Sequence, residues 1–254
     1  MFTSFFTLCV SCAMATAADT DGDPAKGADG WDGTIEFSAS SASGNTETSV
    51  LGARFEAKRI FGRYTNEFKA GVNYAEATTE GDDGEETNAV TQNNSFVEYK
   101  LNAQVRDRTF LYSRLRAEQD EFSGFESRYF VGGGVGHAIF DSEAKTWSVL
   151  AGPGAQYTVL EDGDDVDIDE EVELALYAGS ELSWLVRENV TLEHDLDVTW
   201  TNENTTTASV ASIKTKLSDA LSSRLSYQVK HETDPPEERE ATDTLLSASV
   251  IFGF

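Results

Sequence analysis

The carboxy-terminal stretch, residues 242–254, constrains the fold more than any other part of the chain. Counting back from the terminus, Phe254, Phe252, Val250, Ala248 and Leu246 occupy every second position. Successive side chains of a β-strand point to opposite faces, so these five would share one face of an extended strand. The residues between them are smaller and more polar. The stretch therefore predicts a strand with one continuous apolar face that ends in an aromatic residue.

The same alternation recurs along the chain, in segments that are separated by polar breaks. Around residues 190–201, Val198 and Trp200 would share one face while Asp195 and Asp197 share the other. An alternation of apolar and polar residues with a period of two indicates half-buried strands. Counting the segments predicts twelve strands, at residues 31–43, 48–59, 63–77, 88–102, 108–118, 126–140, 146–160, 172–185, 190–201, 207–217, 221–231 and 242–254.

The connections between these strands distinguish a membrane barrel from a soluble sandwich. Those after odd-numbered strands are long or polar, and those after even-numbered strands are tight, as at residues 60–62 and 218–220. Short periplasmic turns and longer external loops produce this parity. Aromatic residues near strand ends, such as Tyr74, Tyr157 and Trp200, fit the two membrane interfaces.

We therefore predict an all-β fold over residues 31–254, a transmembrane antiparallel up-and-down β-barrel of about twelve strands in the outer membrane of a Gram-negative cell. Both termini would be periplasmic, and outer-membrane lipid would surround the barrel. The strand that ends at Phe254 would close the sheet and would be recognised by the barrel-assembly machinery.

The charge of the chain excludes one class of partner. Acidic residues number 45 against 19 basic ones, for a net charge of −26. Binding to nucleic acid requires basic surface for the phosphates, so no nucleic-acid partner is expected. Hydrophobic residues make up only 39% of the chain, which a barrel tolerates because only alternate residues must be apolar.

The amino terminus predicts a secretory signal peptide over residues 1–18. An apolar core precedes the small residues Ala15, Thr16 and Ala17, although no basic residue comes before it. Both cysteines, Cys9 and Cys12, lie in this segment, and a lipoprotein box at Cys12 would be a poor match. The mature chain would then contain no thiol. Residues 19–30 are acidic and glycine-rich and predict a flexible leader.

Charges of both signs would line the lumen if the apolar face contacts lipid. Twelve strands spaced about 4.8 Å apart and tilted about 40° leave a lumen of roughly one nanometre. Mutual ion pairs could plug it, or it could be a narrow polar pore, and the sequence favours neither. The predicted lumen charges are Glu36, Arg54, Glu56, Lys58, Glu67, Lys69, Glu98, Lys100, Arg114, Arg116, Glu118, Arg128, Glu173, Glu181, Glu193, Asp195, Asp197, Arg224 and Lys230.

Glycines would also share the lumen face in the sixth and seventh strands. A turn centred near Glu143 would place Gly134 opposite Gly152 and Gly132 opposite Gly154. This bare patch could form a small binding recess. Glycines in strands more often permit a bend or leave room for large side chains, and we expect here a bend or large side chains from across the lumen.

Catalytic patterns are missing around the three histidines. A His-x-Ser pair would put both groups on one strand face, but Ile139, Leu196 and Thr233 occupy those positions. An Asp-x-His pair is also absent from the chain. We therefore predict that the protein is not an enzyme, has no cofactor and has no catalytic residues. A catalytic group assembled from distant strands is the alternative.

The acidic connection at residues 161–171 raises the question of metal binding. Its carboxylates could attract small cations or Ca²⁺, which prefers six to eight oxygen ligands. The stretch lacks the glycine and glutamate spacing of a calcium loop. The expected state is a solvated acidic loop, and no residue is assigned as a metal ligand.

Several short elements occur in an order that resembles a known family. They are Trp31 to Gly33, Ser43 to Thr48, Tyr112, the stretch from Asp120 to Phe122, Arg128 with the glycines that follow, and Gly152 to Gly154. In this order they resemble the salt-induced outer membrane protein family, called YdiY-like, a family of unknown function. The resemblance covers about residues 31–254.

The resemblance implies an outer-membrane barrel associated with salt or osmotic conditions, and it carries over no functional residues. We expect a non-enzymatic barrel with an envelope function under salt or osmotic stress. The alternative is a narrow, cation-preferring porin for small solutes.

Overall fold

The computed structural model describes residues 30–42, 46–80, 86–120, 125–160, 170–235 and 241–254. The predicted signal peptide, the leader up to residue 29 and most of the acidic connection, residues 161–169, lie outside the described residues. The described residues form twelve strands: β1 Trp31–Ala42, β2 Thr46–Phe61, β3 Tyr64–Glu80, β4 Glu86–Arg106, β5 Thr109–Asp120, β6 Phe125–Asp141, β7 Lys145–Leu160, β8 Glu170–Arg187, β9 Val190–Trp200, β10 Thr205–Lys216, β11 Leu221–Glu232 and β12 Thr242–Gly253.

The strands form one closed barrel. Each strand pairs antiparallel with its neighbours in sequence, and β1 pairs with β12 to complete the circle. Within the described part of the chain, no helix has the length and apolar character needed to cross a membrane. The predicted all-β, antiparallel up-and-down barrel and its twelve strands are confirmed.

The two ends of the barrel differ. Both described termini and the five connections after even-numbered strands lie at one end, called here the terminal end. These connections are tight, as at Gly62, whose φ of 57° is a conformation that glycine adopts readily. The opposite end is called the far end.

Several strands extend beyond their predicted bounds. The predicted fourth strand ends at Asn102, but β4 continues to Arg106, and β8 spans Glu170–Arg187 instead of the predicted residues 172–185. The added residues are mostly polar. A barrel strand is longer than the apolar belt that marks it in sequence, because its ends leave the hydrocarbon region.

The outer face of the barrel is apolar. Leu174 and Val172 are 81% and 75% exposed, whereas Ala175 and Tyr177, on the other face of β8, are buried. In β12, Leu246, Val250 and Phe252 are exposed on the outside. The predicted outward face of the last strand is confirmed.

Aromatic side chains fill one side of the lumen. Tyr112, Phe130, Leu150 and Tyr177 form a buried cluster, against which Phe110 packs. Glycines make room for these rings: a Cβ on Gly132 or Gly154 would lie 2.7 Å from the ring of Phe130, and one on Gly136 would overlap Phe110.

The glycine patch is thus filled and does not form a recess. Gly132 pairs with Gly154 as predicted, and Gly134 lies so close to Gly152 that a Cβ on either would overlap the backbone of the other strand. The expectation that large side chains cover these glycines is confirmed. Their predicted origin across the lumen is wrong, because the rings come from β5 and from β6 itself.

The chain terminus closes the barrel. The backbone N–H of Gly33 donates to the carbonyl of Phe254 (2.9 Å), and the N–H of Phe254 donates to the carbonyl of Gly33 (3.0 Å). The ring of Phe254 covers Gly33, where a Cβ would lie 2.5 Å from it, and stacks on Phe55 at 6.3 Å between centroids.

Candidate functional site: the lumen

The predicted lumen charges do occupy the inner face of the barrel. The strand alternation puts them opposite the exposed apolar residues, and Glu98, Lys100 and Arg114 are buried. Charges removed from water need partners. Their partners lie partly on neighbouring strands and partly across the lumen.

Lys100 makes the first tie across the lumen. Its Nζ contacts Glu181 Oε1 at 2.5 Å and Glu67 Oε2 at 2.8 Å. Glu67 lies on the adjacent strand β3, whereas Glu181 lies on β8, separated from β4 by three strands. The ammonium group therefore joins two walls of the barrel.

Arg114 makes the second tie. Its guanidinium donates to Glu98 Oε2 through Nε (2.9 Å) and Nη2 (2.6 Å) and contacts Asp197 Oδ1 on β9 at 3.3 Å. It also lies 4.5 Å from the centre of the Tyr177 ring, and the Tyr177 hydroxyl donates to Asp197. Arg114 thus joins the aromatic cluster to the charged network.

Arg128 makes the third tie, near the far end. Its Nη1 lies 3.3 Å from Glu232 Oε1 on β11 and 3.8 Å from Glu118 Oε1. The guanidinium covers the buried ring of Phe125 at 4.0 Å, and Lys230 contacts Glu232 at 3.4 Å. Glu232 lies beyond the predicted strand, which ends at His231, although it continues the alternation from Lys230 and belongs to β11.

The second and third ties belong to one network. Arg116 contacts Glu98 Oε2 at 3.2 Å and Glu118 Oε2 at 2.9 Å. Glu118 in turn contacts Arg128. Together with the first tie and the aromatic cluster, these side chains extend across the lumen from β4 to β9 and reach β11 at Glu232. We call this part of the lumen the plug.

A separate cluster lies on the other side of the lumen, at the closure of the barrel. Arg224 of β11 contacts Glu36 Oε2 on β1 at 2.5 Å and Glu193 Oε2 on β9 at 3.1 Å. The hydroxyl of Ser249 donates to Glu36, and that of Ser212 donates to Glu193 at 3.2 Å. This cluster spans the seam between β1 and β12.

A polar cavity of about 1070 Å³ runs beside the plug. It begins at the mouth of the terminal end, where Asp141 and Asp219 line it, and it reaches Ser38, Gln228 and Leu245. Those three residues lie within four residues of the far ends of β1, β11 and β12. We call this cavity the passage. Residues of all twelve described strands contribute to its lining, among them Glu181 of the first tie.

The lining of the passage is acidic overall. Among the described residues, nine side-chain carboxylates line it against four basic side chains: Asp32, Glu36, Glu56, Glu67, Asp141, Glu181, Glu193, Asp195 and Asp219, against Arg54, Lys58, Lys69 and Arg224. At the terminal mouth, a hydrogen bond from Lys216 Nζ (2.8 Å) and its positive charge keep the pKa of Asp219 below its ordinary value. The passage therefore presents an excess of negative charge.

Each of the three histidines is hydrogen-bonded to a hydroxyl group on a neighbouring strand. His137 pairs with the hydroxyl of Thr109 (3.3 Å), His194 with Ser209 (3.1 Å) and His231 with Thr242 (2.8 Å). The hydrogen bonds of the described residues give none of them the carboxylate partner that orients a catalytic histidine. The same part of the chain contains no group of three or more His, Cys, Asp or Glu side chains arranged to hold a metal ion.

Comparisons with known proteins support the same architecture. A family model described as "Protein of unknown function, DUF481" matches residues 35–254. An outer membrane channel from Pseudomonas putida F1 is similar in structure, with 13% identity, a TM-score of 0.51 and coverage of 93% of this chain and 100% of that one.

The translocator domain of the autotransporter NalP from Neisseria meningitidis is also similar, with 10% identity, a TM-score of 0.53 and coverage of 89% of this chain and 88% of that one. A search of curated proteins gives no match. At these identities the likeness concerns the fold, which is that of outer-membrane β-barrels.

Proposed function

We propose that this chain, which belongs to the DUF481 family, is a non-enzymatic β-barrel of the Gram-negative outer membrane that serves the envelope under salt stress as a narrow, cation-preferring channel. The terminal end would face the periplasm, since short turns are periplasmic in such barrels. The strand ending at Phe254 would be the segment presented to the assembly machinery. The connection to salt stress rests on the family resemblance of the sequence.

One observation carries the channel proposal, namely the acidic passage beside the plug. It connects the terminal mouth with the region near the far strand ends, and its lining has more than two carboxylates for each basic group. A pore lined by one sign of charge inside low-dielectric walls concentrates counter-ions. Rings of carboxylates select cations in the same way.

Single-channel recording of the refolded protein in planar bilayers under a salt gradient tests this function. We expect small, reproducible conductance steps and a reversal potential that indicates cation preference. Replacing two passage carboxylates, Asp195→Asn with Glu56→Gln, should reduce that preference, because it removes negative charge from the lining.

The matched control removes two carboxylates that are exposed in terminal turns and do not line the passage, Glu143→Gln with Glu188→Gln. It should leave selectivity unchanged. Anion preference in the parent protein, or no conductance from a barrel shown to be folded, would overturn the channel.

A sealed barrel is the second candidate, favoured by the three ties across the lumen. Lys100, Arg114 and Arg128 each join strands that are not neighbours. If these ties and the far-end residues close the passage, the folded protein will be electrically silent. The acidic connection at residues 161–171 would then be the part of the barrel to test for cation or Ca²⁺ binding.

A further inference from the structure

Aromatic rings at the terminal end are paired with cations. Arg59 lies 5.8 Å from the ring centre of Trp31. Arg63 lies 5.2 Å from the ring centre of Tyr64 and donates a hydrogen bond to its hydroxyl at 3.0 Å. These pairs sit around the outer rim of the first three strands.

The pattern repeats on the other side of the rim. Lys145 Nζ lies 4.4 Å from the ring centre of Phe140 and 5.4 Å from that of Trp184. Phe140 and Trp184 are both exposed. Three cation–aromatic groups therefore mark the same level of the barrel, and we call them the basic belt: Trp31, Arg59, Arg63, Tyr64, Phe140, Lys145 and Trp184.

Aromatic residues at the far end have the opposite partners. The hydroxyl of Tyr74 donates to Glu76 at 2.7 Å, and Tyr157 is hydrogen-bonded to Glu170. The described basic side chains of the far half, such as Arg128 and Lys230, lie on the lumen face and in ion pairs. The two aromatic rims of the barrel thus differ in the sign of the charge beside them.

This difference has a direct consequence in a bilayer. Aromatic rims lie at the level of the lipid headgroups. A cation that covers a ring face keeps N–H donors free, and arginine presents such donors in a planar fork that fits phosphate. Carboxylates at the same depth would repel phosphate.

We propose that the basic belt binds the phosphodiester headgroups of anionic phospholipids in the leaflet at the terminal end. Charge complementarity identifies the occupant, because the belt lies at headgroup level and carries the only outward cation–aromatic groups within the described residues. The proposal uses the membrane barrel alone and does not depend on whether the passage conducts.

Electron spin resonance of spin-labelled lipids around the refolded barrel tests the proposal. The motionally restricted fraction gives the association of phosphatidylglycerol relative to phosphatidylcholine. We expect the parent to prefer phosphatidylglycerol. The triple variant Arg59→Gln, Arg63→Gln, Lys145→Gln should lose this preference, by roughly fivefold for each basic residue at most.

The matched control removes the same charge at the same end. Arg106, Arg108 and Arg187 are exposed, and each adjoins an exposed acidic residue in sequence, Asp107 or Glu188. The variant Arg106→Gln, Arg108→Gln, Arg187→Gln should keep the lipid preference. Heat-modifiable mobility in gels confirms that each variant folds.

Three outcomes would overturn the proposal. They are a parent without preference for phosphatidylglycerol, an equal loss in both triple variants, and displacement of the restricted lipid by inorganic phosphate but not by chloride of equal ionic strength. The second would indicate general charge attraction, and the third would indicate a site for free phosphate. A loss confined to the belt variant supports the assignment.

Discussion

Arg114 shows how a single residue holds the plug together. Its side chain is 8% exposed, and it contacts Glu98, Asp197 and the ring of Tyr177. Removing one member of a buried ion pair leaves the other without compensation in a poorly solvated site. The stability of the barrel therefore depends more on this arginine than on any exposed one.

We expect Arg114→Met to lower the free energy of unfolding by about 3–5 kcal/mol, since Glu98 and Asp197 would lose a shared cation. Arg106→Met, at an exposed position, should change it by about 0.5 kcal/mol or less. Urea-induced unfolding in lipid vesicles, followed by tryptophan fluorescence, measures both. Equal losses in the two variants would contradict a structural role for the ion pairs.

At this scale the sequence predicts which face a residue occupies but not its partner. The period of two put Lys100 and Glu181 on the lumen face. Their contact joins positions 81 residues apart, and it depends on the tilt and relative shift of the strands, which alternation does not encode. The same limit explains why the rings over the glycine patch were expected from across the lumen.

At the scale of strands, number and order were predictable and lengths were not. Twelve apolar alternations separated by polar breaks correspond to the twelve strands. The ends of β4 and β8 could not be predicted, because polar residues outside the membrane are compatible with a strand as well as with a loop. Glu232 was missed for the same reason.

The seam between β1 and β12 is the least extensive strand pair of the barrel. Six residue pairs join these strands, from Thr34↔Gly253 to Ala39↔Ala248, against sixteen between β2 and β3. Glu36 and Arg224 cross this seam at 2.5 Å, with the hydroxyl of Ser249 also donating to Glu36. Side chains thus support a closure that has few backbone bonds.

We expect Glu36→Gln to lower the free energy of unfolding by about 1.5–3 kcal/mol, because hydrogen bonds to a charged group are lost at the seam. Glu56→Gln is the matched control. Glu56 contacts Arg54 at only 3.8 Å and both side chains are about one-third exposed, so its loss should cost about 0.5 kcal/mol. The temperature at which the band of the folded barrel disappears in semi-native gels ranks the two, and a reversed order would exclude the seam as the weak point.

At the scale of the whole molecule, the lumen is divided between the plug and the passage. The ties cross the lumen from β4, β5 and β6 to β8, β9 and β11, and the acidic cavity runs beside them with lining from all twelve described strands. Ion pairs buried between low-dielectric walls are screened by salt much less than exposed pairs. High salt alone is therefore not expected to break the plug, and conductance should rise smoothly with salt concentration.

Replacing both partners of one tie tests whether that tie limits ion flow through the passage. The double variant Lys100→Ala, Glu181→Ala removes both partners of the tie and most of their side-chain volume, and Glu67 keeps its contact with Lys58 at 3.5 Å. Losing two polar groups that cross the lumen should widen its conducting cross-section, so we expect larger conductance steps than in the parent. Cation preference should persist, because Asp195 and Glu193 still line the passage. Unchanged steps in a folded variant would show that the tie does not limit the passage, and the constriction would then have to lie toward the far end, where Arg128 and Glu232 meet.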